Sequence, residues 1–267
     1  PTVAAIQMCS SHLVDENLKT AAQLITKAAA NGAILVVLPE MFAIMGMNDT
    51  DKVKVREPIG DGKIQTFLAA QAVKNKIWLV GGTIPIRCEN IPKIRAACIV
   101  YNDKGKAVAR YDKIHLFDVT ISETESYKES ETTEPGNELA LVDTPIGKLG
   151  LAVCYDIRFP TMFTQLFKQG MEIMAIPAAF TIKTGQAHWQ LLARSRAVEN
   201  FCYVIGACQG GTHTNGRQTY GNTLIVEPWG SVQQELLEPG NGIVYSNINL
   251  EYLYKIRAAI PVSEHLK

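Results

Sequence analysis

The stretch Leu149-Gly150-Leu151-Ala152-Val153-Cys154-Tyr155-Asp156-Ile157-Arg158-Phe159-Pro160 constrains this chain more than any other. Its small and apolar start reads as a short buried strand, and the apolar run stops at Cys154. Pro160 suits the first turn of a helix, where its missing N–H leaves no intrahelical bond unmade. Met162, Phe163, Leu166 and Phe167 recur at helical spacing, and Gly170 reads as the stop. Strand, cysteine, tight turn, helix is the order in which an α/β protein presents a nucleophile at the end of a strand. A buried thiol without chemistry is the other reading, since free cysteine is among the most buried residue types.

The rest of the chain alternates strand and helix patterns. Val3 to Met8 reads as a strand. Asp15 is placed to cap a helix with Leu18, Ala21, Ala22, Ile25, Ala28 and Ala29 on one face, ended by Asn31-Gly32. Ala33 to Leu38 is a strand apolar on both faces, as in a sheet covered by helices, and it ends at Pro39-Glu40. Ile64, Phe67, Leu68 and Val73 mark a second helix, and Trp78 to Thr83 a further strand. Residues 96–101 and 107–111 flank the turn Asn102-Asp103-Lys104-Gly105, and the second arm runs into Lys113. Residues 117–137 are polar and without period, as functional or disordered loops are. A hairpin over 139–142 and 149–153 precedes the cysteine. Beyond it come a strand over 173–176 ending at Pro177, a helix over 186–200, strands over 203–207, 223–226, 231–236 and 242–248, and a helix over 250–260. Residues 3–40 and 149–180 both run strand, helix, apolar strand, proline and polar turn. Two such halves would pack sheet on sheet as a four-layer α-β-β-α sandwich, one α/β domain over residues 1–267.

Composition removes several classes of function. Lys and Arg total 26 against 26 Asp and Glu, with no long basic run, so no nucleic-acid partner is expected. The longest apolar run, Ala33 to Leu38, is far too short for a membrane helix. Six cysteines are sparse in a chain of 267 residues, and several lie in strand-like runs, the pattern of free thiols in a reducing compartment. No C-x-x-C or H-x-x-x-H spacing occurs, so neither a metal nor another cofactor is expected. Pro1 to Ile6 is strand-like rather than signal-like, and a cytoplasmic protein is the expectation.

A thiol of ordinary pKa, about 8.5, is only a few per cent thiolate at neutrality, so a nucleophilic cysteine needs a base, and attack on a carbonyl needs donors for the oxyanion. Glu40 and Lys113 each follow an apolar or aromatic strand. A carboxylate held partly out of water becomes a better base, and a lysine beside it would steady thiolate and oxyanion. An ordinary Glu–Lys ion pair beside an unrelated thiol is the alternative.

Three segments together carry a resemblance. Leu38-Pro39-Glu40-Met41-Phe42, Tyr111-Asp112-Lys113-Ile114-His115-Leu116 and Cys154 to Pro160 resemble, in order and interval, the signature segments of the nitrilase (carbon–nitrogen hydrolase) superfamily. Gly185 to Trp189, Arg194 to Glu199 and Pro228-Trp229-Gly230 extend the similarity over nearly the whole chain. The resemblance implies the α-β-β-α sandwich, usually dimerised, with Glu40 as general base, Lys113 as oxyanion stabiliser, Cys154 as nucleophile, and Glu129 positioning the lysine and substrate. It implies the Tyr155 N–H in the oxyanion hole and Arg158 on a substrate carboxylate, with Phe180, Thr181 and His188 also at the substrate. A structural ion pair is the other reading of Arg158. Within the superfamily the similarity is greatest to the Nit branch, through Leu116 to Val119, Glu129-Ser130, Pro135-Gly136, Gln209 to His213 and Tyr220-Gly221, although Asn222 stands where histidine is usual. That implies a small amide substrate carrying a carboxylate: deaminated glutathione, giving 2-oxoglutarate and cysteinylglycine, or alternatively 2-oxoglutaramate, giving 2-oxoglutarate and ammonia. A homodimer or higher homo-oligomer is implied as well. The rival classes are an inert small-molecule-binding protein of the same fold and a redox thiol protein, the latter without a resolving cysteine nearer downstream than Cys202 and Cys208.

Overall fold

The computed structural model describes residues 1–266. The first half runs β1 (Thr2–Gln7), α1 (Val14–Ala30), β2 (Ala33–Val37), α2 (Lys63–Asn75), β3 (Trp78–Val80), β4 (Ile84–Arg87), β5 (Ile94–Tyr101) and β6 (Ala107–Asp112). The second half runs β7 (Ala140–Thr144), β8 (Gly147–Leu151), α3 (Pro160–Lys168), β9 (Ile173–Ala178), α4 (Gln190–Asn200), β10 (Tyr203–Cys208), β11 (Leu224–Val226), β12 (Val232–Glu235), β13 (Gly242–Asn247) and α5 (Leu250–Ala259). One sheet has the order β13-β1-β2-β3-β5-β4 with β6 also on β5, and the other the order β12-β11-β10-β9-β8-β7.

Period-two alternation gives each sheet two apolar faces. Ala4, Ile6, Val36 and Leu79 pack against Leu18, Ala21, Ile25 and Ala28 of α1 and Ile64, Leu68 and Ala72 of α2. Val3, Ala5, Leu35, Val37 and Val80 face the other way, into a core shared with Leu149, Leu151, Ile173 and Ala175 of the second sheet and with Met162, Phe163, Leu166, Ala193 and Ala197 of α3 and α4. The result is the four-layer α-β-β-α sandwich. Each aliphatic side chain buried there contributes about 1.5–3 kcal/mol over an exposed one. Among the described residues no helix is long and apolar enough to cross a membrane.

The strands β1, β2 and β3 are parallel, as are β8, β9 and β10. A parallel bridge joins the sheets at their carboxyl ends, with Met8 N–H donating to Cys208 O and Gly210 N–H to Met8 O. Residues after β2, β6, β8 and β9 therefore emerge on one edge of the sandwich, where open α/β sheets hold their ligands.

Several elements differ in detail from the sequence pattern. The residue before α1 is Leu13, and Asp15 lies in its first turn, where it favours the helix dipole instead of capping the end. Ile34 and Val73 are exposed. β9 continues through Pro177. The Ala152 N–H bonds Ala175 O, so Pro177, two residues on, faces the same side beyond the end of β8, where no ladder bond is lost. The polar stretch 117–137 contains a two-stranded hairpin, Asp118–Thr120 with Ser126–Lys128, then a 3-10 turn over Glu129–Glu131. Residues 210–220 form another, Gly210–Thr212 with Gln218–Tyr220.

Two glycines fix where the strand ends lie. A Cβ on Gly82, at φ +60°, would come within 2.1 Å of Pro39 O, directly before Glu40, and one on Gly136 within 2.1 Å of Asp112 O, directly before Lys113. Gly82→Ala is expected to destabilise the protein by more than about 1 kcal/mol, since alanine meets both the left-handed backbone and the carbonyl. The urea midpoint should fall at unchanged slope; a wild-type midpoint would contradict this close approach.

Candidate active site

Each candidate side chain comes from a strand end or a turn held by its own backbone bonds. Glu40 follows β2 through Leu38-Pro39. Its carbonyl accepts from Gln209 Nε2 at 3.0 Å, and Met41, at φ +53°, turns the chain while its N–H donates to Thr83 Oγ1. Lys113 directly follows β6. Glu129 opens the 3-10 turn after the 118–128 hairpin, and its Oε2 accepts from Phe117 N at 2.8 Å. Cys154 lies three residues beyond β8 at φ +47°, a conformation that strains a side chain bearing Cβ and that proteins retain mostly at functional sites. Its Sγ accepts a hydrogen bond from the Ala179 N–H, just past β9, at 3.4 Å.

These groups form one buried cluster. Lys113 Nζ lies 2.8 Å from Glu40 Oε1 and 2.9 Å from Glu129 Oε2. Lys113 is 2% exposed, Glu40 4% and Cys154 7%. Burial alone would push the Lys113 ammonium toward its neutral form, but Glu129 and Glu40 outweigh it and hold its pKa well above the ordinary value. Burial opposes the charged form of Glu129 too, and Lys113, aided by Lys52, wins and holds that carboxyl below its usual range. Burial, then the Glu40 charge, pushes the Cys154 thiol up well above its ordinary value, against the pull of Lys113 and the Ala179 N–H. Burial in this cleft thus favours the thiol form of Cys154. Of the three N–H donors of Lys113, two are taken by carboxylates and one is left for a substrate oxygen.

Asp156 ties two of these elements together. Fully buried, it accepts from Tyr111 Oη at 2.7 Å and Val153 N at 2.8 Å through one oxygen, and from the His115 N–H at 3.0 Å through the other, which also lies 2.7 Å from His115 Nδ1. The segment carrying Lys113 and the turn carrying Cys154 are thus joined by a single carboxylate.

The side chains of the remaining predicted residues lie apart from the cleft lining. Arg158 Nη2 is 3.2 Å from His188 Nδ1, and its guanidinium sits 5.9 Å from the Tyr155 ring and 5.6 Å from the Phe180 ring. The Tyr155 ring packs edge-on against Phe117 and Phe159. Phe180 is tilted on Trp189, and Thr181 caps the short turn Ile182–Thr184. The cleft itself is lined by Glu40, Lys113, Glu129 and Cys154 together with Lys52, Lys128, Arg217 and the carboxylate of Asp49. The sequence reading missed these charges, Lys52 and Arg217 among them. Lys52 lies in the short helical turn Asp51–Lys54, and Arg217 sits just before the second arm of the 210–220 hairpin, so neither follows a strand. A lone arginine closing a glycine-rich stretch was the signal available. Among the described residues no group of three or more His, Cys, Asp or Glu side chains converges to hold a metal ion.

Residues 2–258 match the carbon-nitrogen hydrolase family profile. Deaminated glutathione amidase of Mus musculus is 40% identical over 269 residues, covering 99% of this chain and 83% of that protein. The C. elegans NitFhit protein superposes with a TM-score of 0.92 at 34% identity, over 100% of this chain and 65% of that one, so this chain spans just under two thirds of its length. Saccharomyces cerevisiae Nit3, a member of branch 10 of the nitrilase superfamily, superposes with a TM-score of 0.87 at 35% identity, over 97% of this chain and 94% of that one.

Lys113→Met leaves two buried carboxylates without their cation and is expected to cost about 3 kcal/mol of stability at neutral pH. Glu129, with its pKa lowered, contributes stability that is present above its ordinary value of 4.5 and lost as the pH falls through the folded value. The gap between wild type and variant, measured by urea unfolding, should therefore narrow as the pH falls through the carboxylate range. A gap independent of pH would contradict the pairing.

Proposed function

The chain belongs to the carbon–nitrogen hydrolase family and is an amidase, and from that premise we propose that it hydrolyses deaminated glutathione to 2-oxoglutarate and cysteinylglycine. The observation that carries this reading is the charge of the cleft: beside Lys113 and its two paired glutamates, Cys154 shares its lining with three further cations, Lys52, Lys128 and Arg217, against the single further carboxylate Asp49, which suits an amide that bears a carboxylate. The similarity to an amidase named for deaminated glutathione supports it. A second observation favours a peptide-sized leaving group over ammonia. Through Met41, Asp49, Lys52, Tyr127 and Arg217 the cleft, about 60 Å³, continues into an outer chamber of about 330 Å³ reaching Asn48 and Ser126 at the surface.

In the proposed reaction Glu40 takes the Cys154 proton as Sγ attacks the amide carbonyl. The third N–H of Lys113 and the backbone N–H of Tyr155 hold the oxyanion. Glu129, bonded to Lys113 and to the Phe117 N–H, keeps the ammonium in place. On collapse the C–N bond breaks and Glu40 passes its proton to the leaving nitrogen. Water, deprotonated by Glu40, then attacks the thioester, releasing the acid and restoring the thiol. Neither metal nor organic cofactor takes part in this scheme.

The proposal also covers the setting: one carbon–nitrogen hydrolase domain over residues 1–267, acting in the cytoplasm as a homodimer or higher homo-oligomer on a small molecule. Exposed Leu191 and Val198 on α4, beside Trp229, support self-association. Sedimentation should give at least a dimer, and a monomer at micromolar concentration would overturn that part.

Both candidate substrates release 2-oxoglutarate, so a glutamate dehydrogenase assay with added ammonia compares them directly. kcat/KM is expected to favour deaminated glutathione. A tenfold preference for 2-oxoglutaramate would replace this substrate with that one, and turnover of neither would overturn the substrate assignment.

A further inference from the structure

We propose that Arg217 holds the carboxylate on the acyl half of the substrate and thereby sets the enzyme's preference for acidic amides, an inference that rests on the amidase reading above and deepens it. Two bonds place the guanidinium. Arg217 Nη2 donates to Ala179 O at 3.2 Å, and the N–H of the same Ala179 donates to Cys154 Sγ at 3.4 Å. One residue thus separates the arginine from the nucleophile. The guanidinium also lies over the Tyr127 ring at 5.1 Å, which fixes its plane and leaves its edge for ligands.

Its hydrogen-bonding capacity is mostly unspent. An arginine has five N–H donors. Here one meets the Ala179 carbonyl, one the weak acceptor Met45 Sδ at 3.9 Å, and Nε is buried with no partner at all. Among the described residues no carboxylate lies within ion-pair distance of it. Of the other cations in the cleft, Lys113 is held by Glu40 and Glu129 and Lys128 lies 3.4 Å from Glu131, while burial pushes the Lys52 ammonium below its ordinary pKa and the attraction of Glu129 and Asp49 offsets this only in part. Like Lys52, Arg217 makes no ion pair among the described residues, but it alone of these cations offers a planar set of largely unspent donors, and a partly desolvated cation favours an anionic ligand strongly.

The spacing selects the ligand class. While the acyl group is attached to Sγ, a carboxylate on Arg217 lies only one protein residue away from it. A short dicarboxylic half-amide spans such a gap, and 2-oxoglutaryl amides belong to that class. The amine half then points to the outer chamber, from which it can leave while the thioester remains.

Arg217 also steadies the Ala179 carbonyl, so the test separates binding from scaffolding. Wild type, Arg217→Met and Arg217→Lys are assayed with 2-oxoglutaramate and with uncharged pentanamide, after thermal melts confirm folding. Arg217→Met is expected to raise KM for the acid far more than it lowers kcat. The ratio of kcat/KM for acid over neutral amide should fall roughly tenfold to hundredfold, the size of a lost charged hydrogen bond, with partial recovery in Arg217→Lys. An unchanged ratio, with both substrates impaired equally, would overturn the proposal. If wild type turns over no 2-oxoglutaryl amide, the substrate assignment falls separately, and glutaramate replaces the acid: a wild-type preference for it over pentanamide that Arg217→Met abolishes supports the arginine, and no such preference overturns its role.

Discussion

A lysine ammonium buried between two carboxylates is stable only when all three charges arrive together, because each ion taken from water costs several kilocalories per mole that only good partners offset. Lys113, Glu40 and Glu129 come from three separate segments, two at strand ends and one in a turn. The cluster therefore acts as a constraint on the whole fold. Any arrangement that leaves one partner behind buries an unpaired charge beside Cys154.

The architecture meets this constraint by directing both sheets alike. Parallel β1–β3 and parallel β8–β10 finish on one edge, sewn by the Met8 and Gln209 bridge, so that Glu40, Lys113 and Cys154 emerge within reach of one another. Glycines then set the last fraction of an ångström: Gly82 packs on the carbonyl before Glu40 and Gly136 on the carbonyl before Lys113. Asp156 adds a link that does not pass through the reacting groups, binding Tyr111, His115 and Val153 at once. Scaffold links such as this one run beside the cluster of Glu40, Lys113 and Cys154.

This division explains what could be read from the chain alone. Glu40 and Cys154 stand out because each ends the apolar run of a buried strand, where a polar residue has few structural reasons to be, while Lys113 follows the aromatic Tyr111 at the end of a more exposed strand. The sandwich followed from a strand apolar on both faces and from the repeated strand–helix–strand order. Glu129 was distinguishable from Glu123, Glu125, Glu131 and Glu134 only by resemblance, because its role depends on how the 118–128 hairpin folds back, which local pattern does not encode. Lys52 carried no signal, and Arg217 only its place after a glycine-rich stretch, for the same reason: both reach the cleft from short segments whose path is set by tertiary bonds such as Asn215 Nδ2 to Gly46 O. Arg158, legible as a cation four residues from the nucleophile, pairs instead with His188 outside the cleft lining.

The account turns on Cys154 carrying the acyl group after the amine has gone. Intact-mass spectrometry of enzyme quenched during turnover of 2-oxoglutaramate reads this directly. The account predicts a species heavier by the acyl group, mapping to the peptide that contains Cys154, absent in Cys154→Ala, with ammonia released in a burst ahead of 2-oxoglutarate. Turnover at the wild-type rate in Cys154→Ala would contradict it.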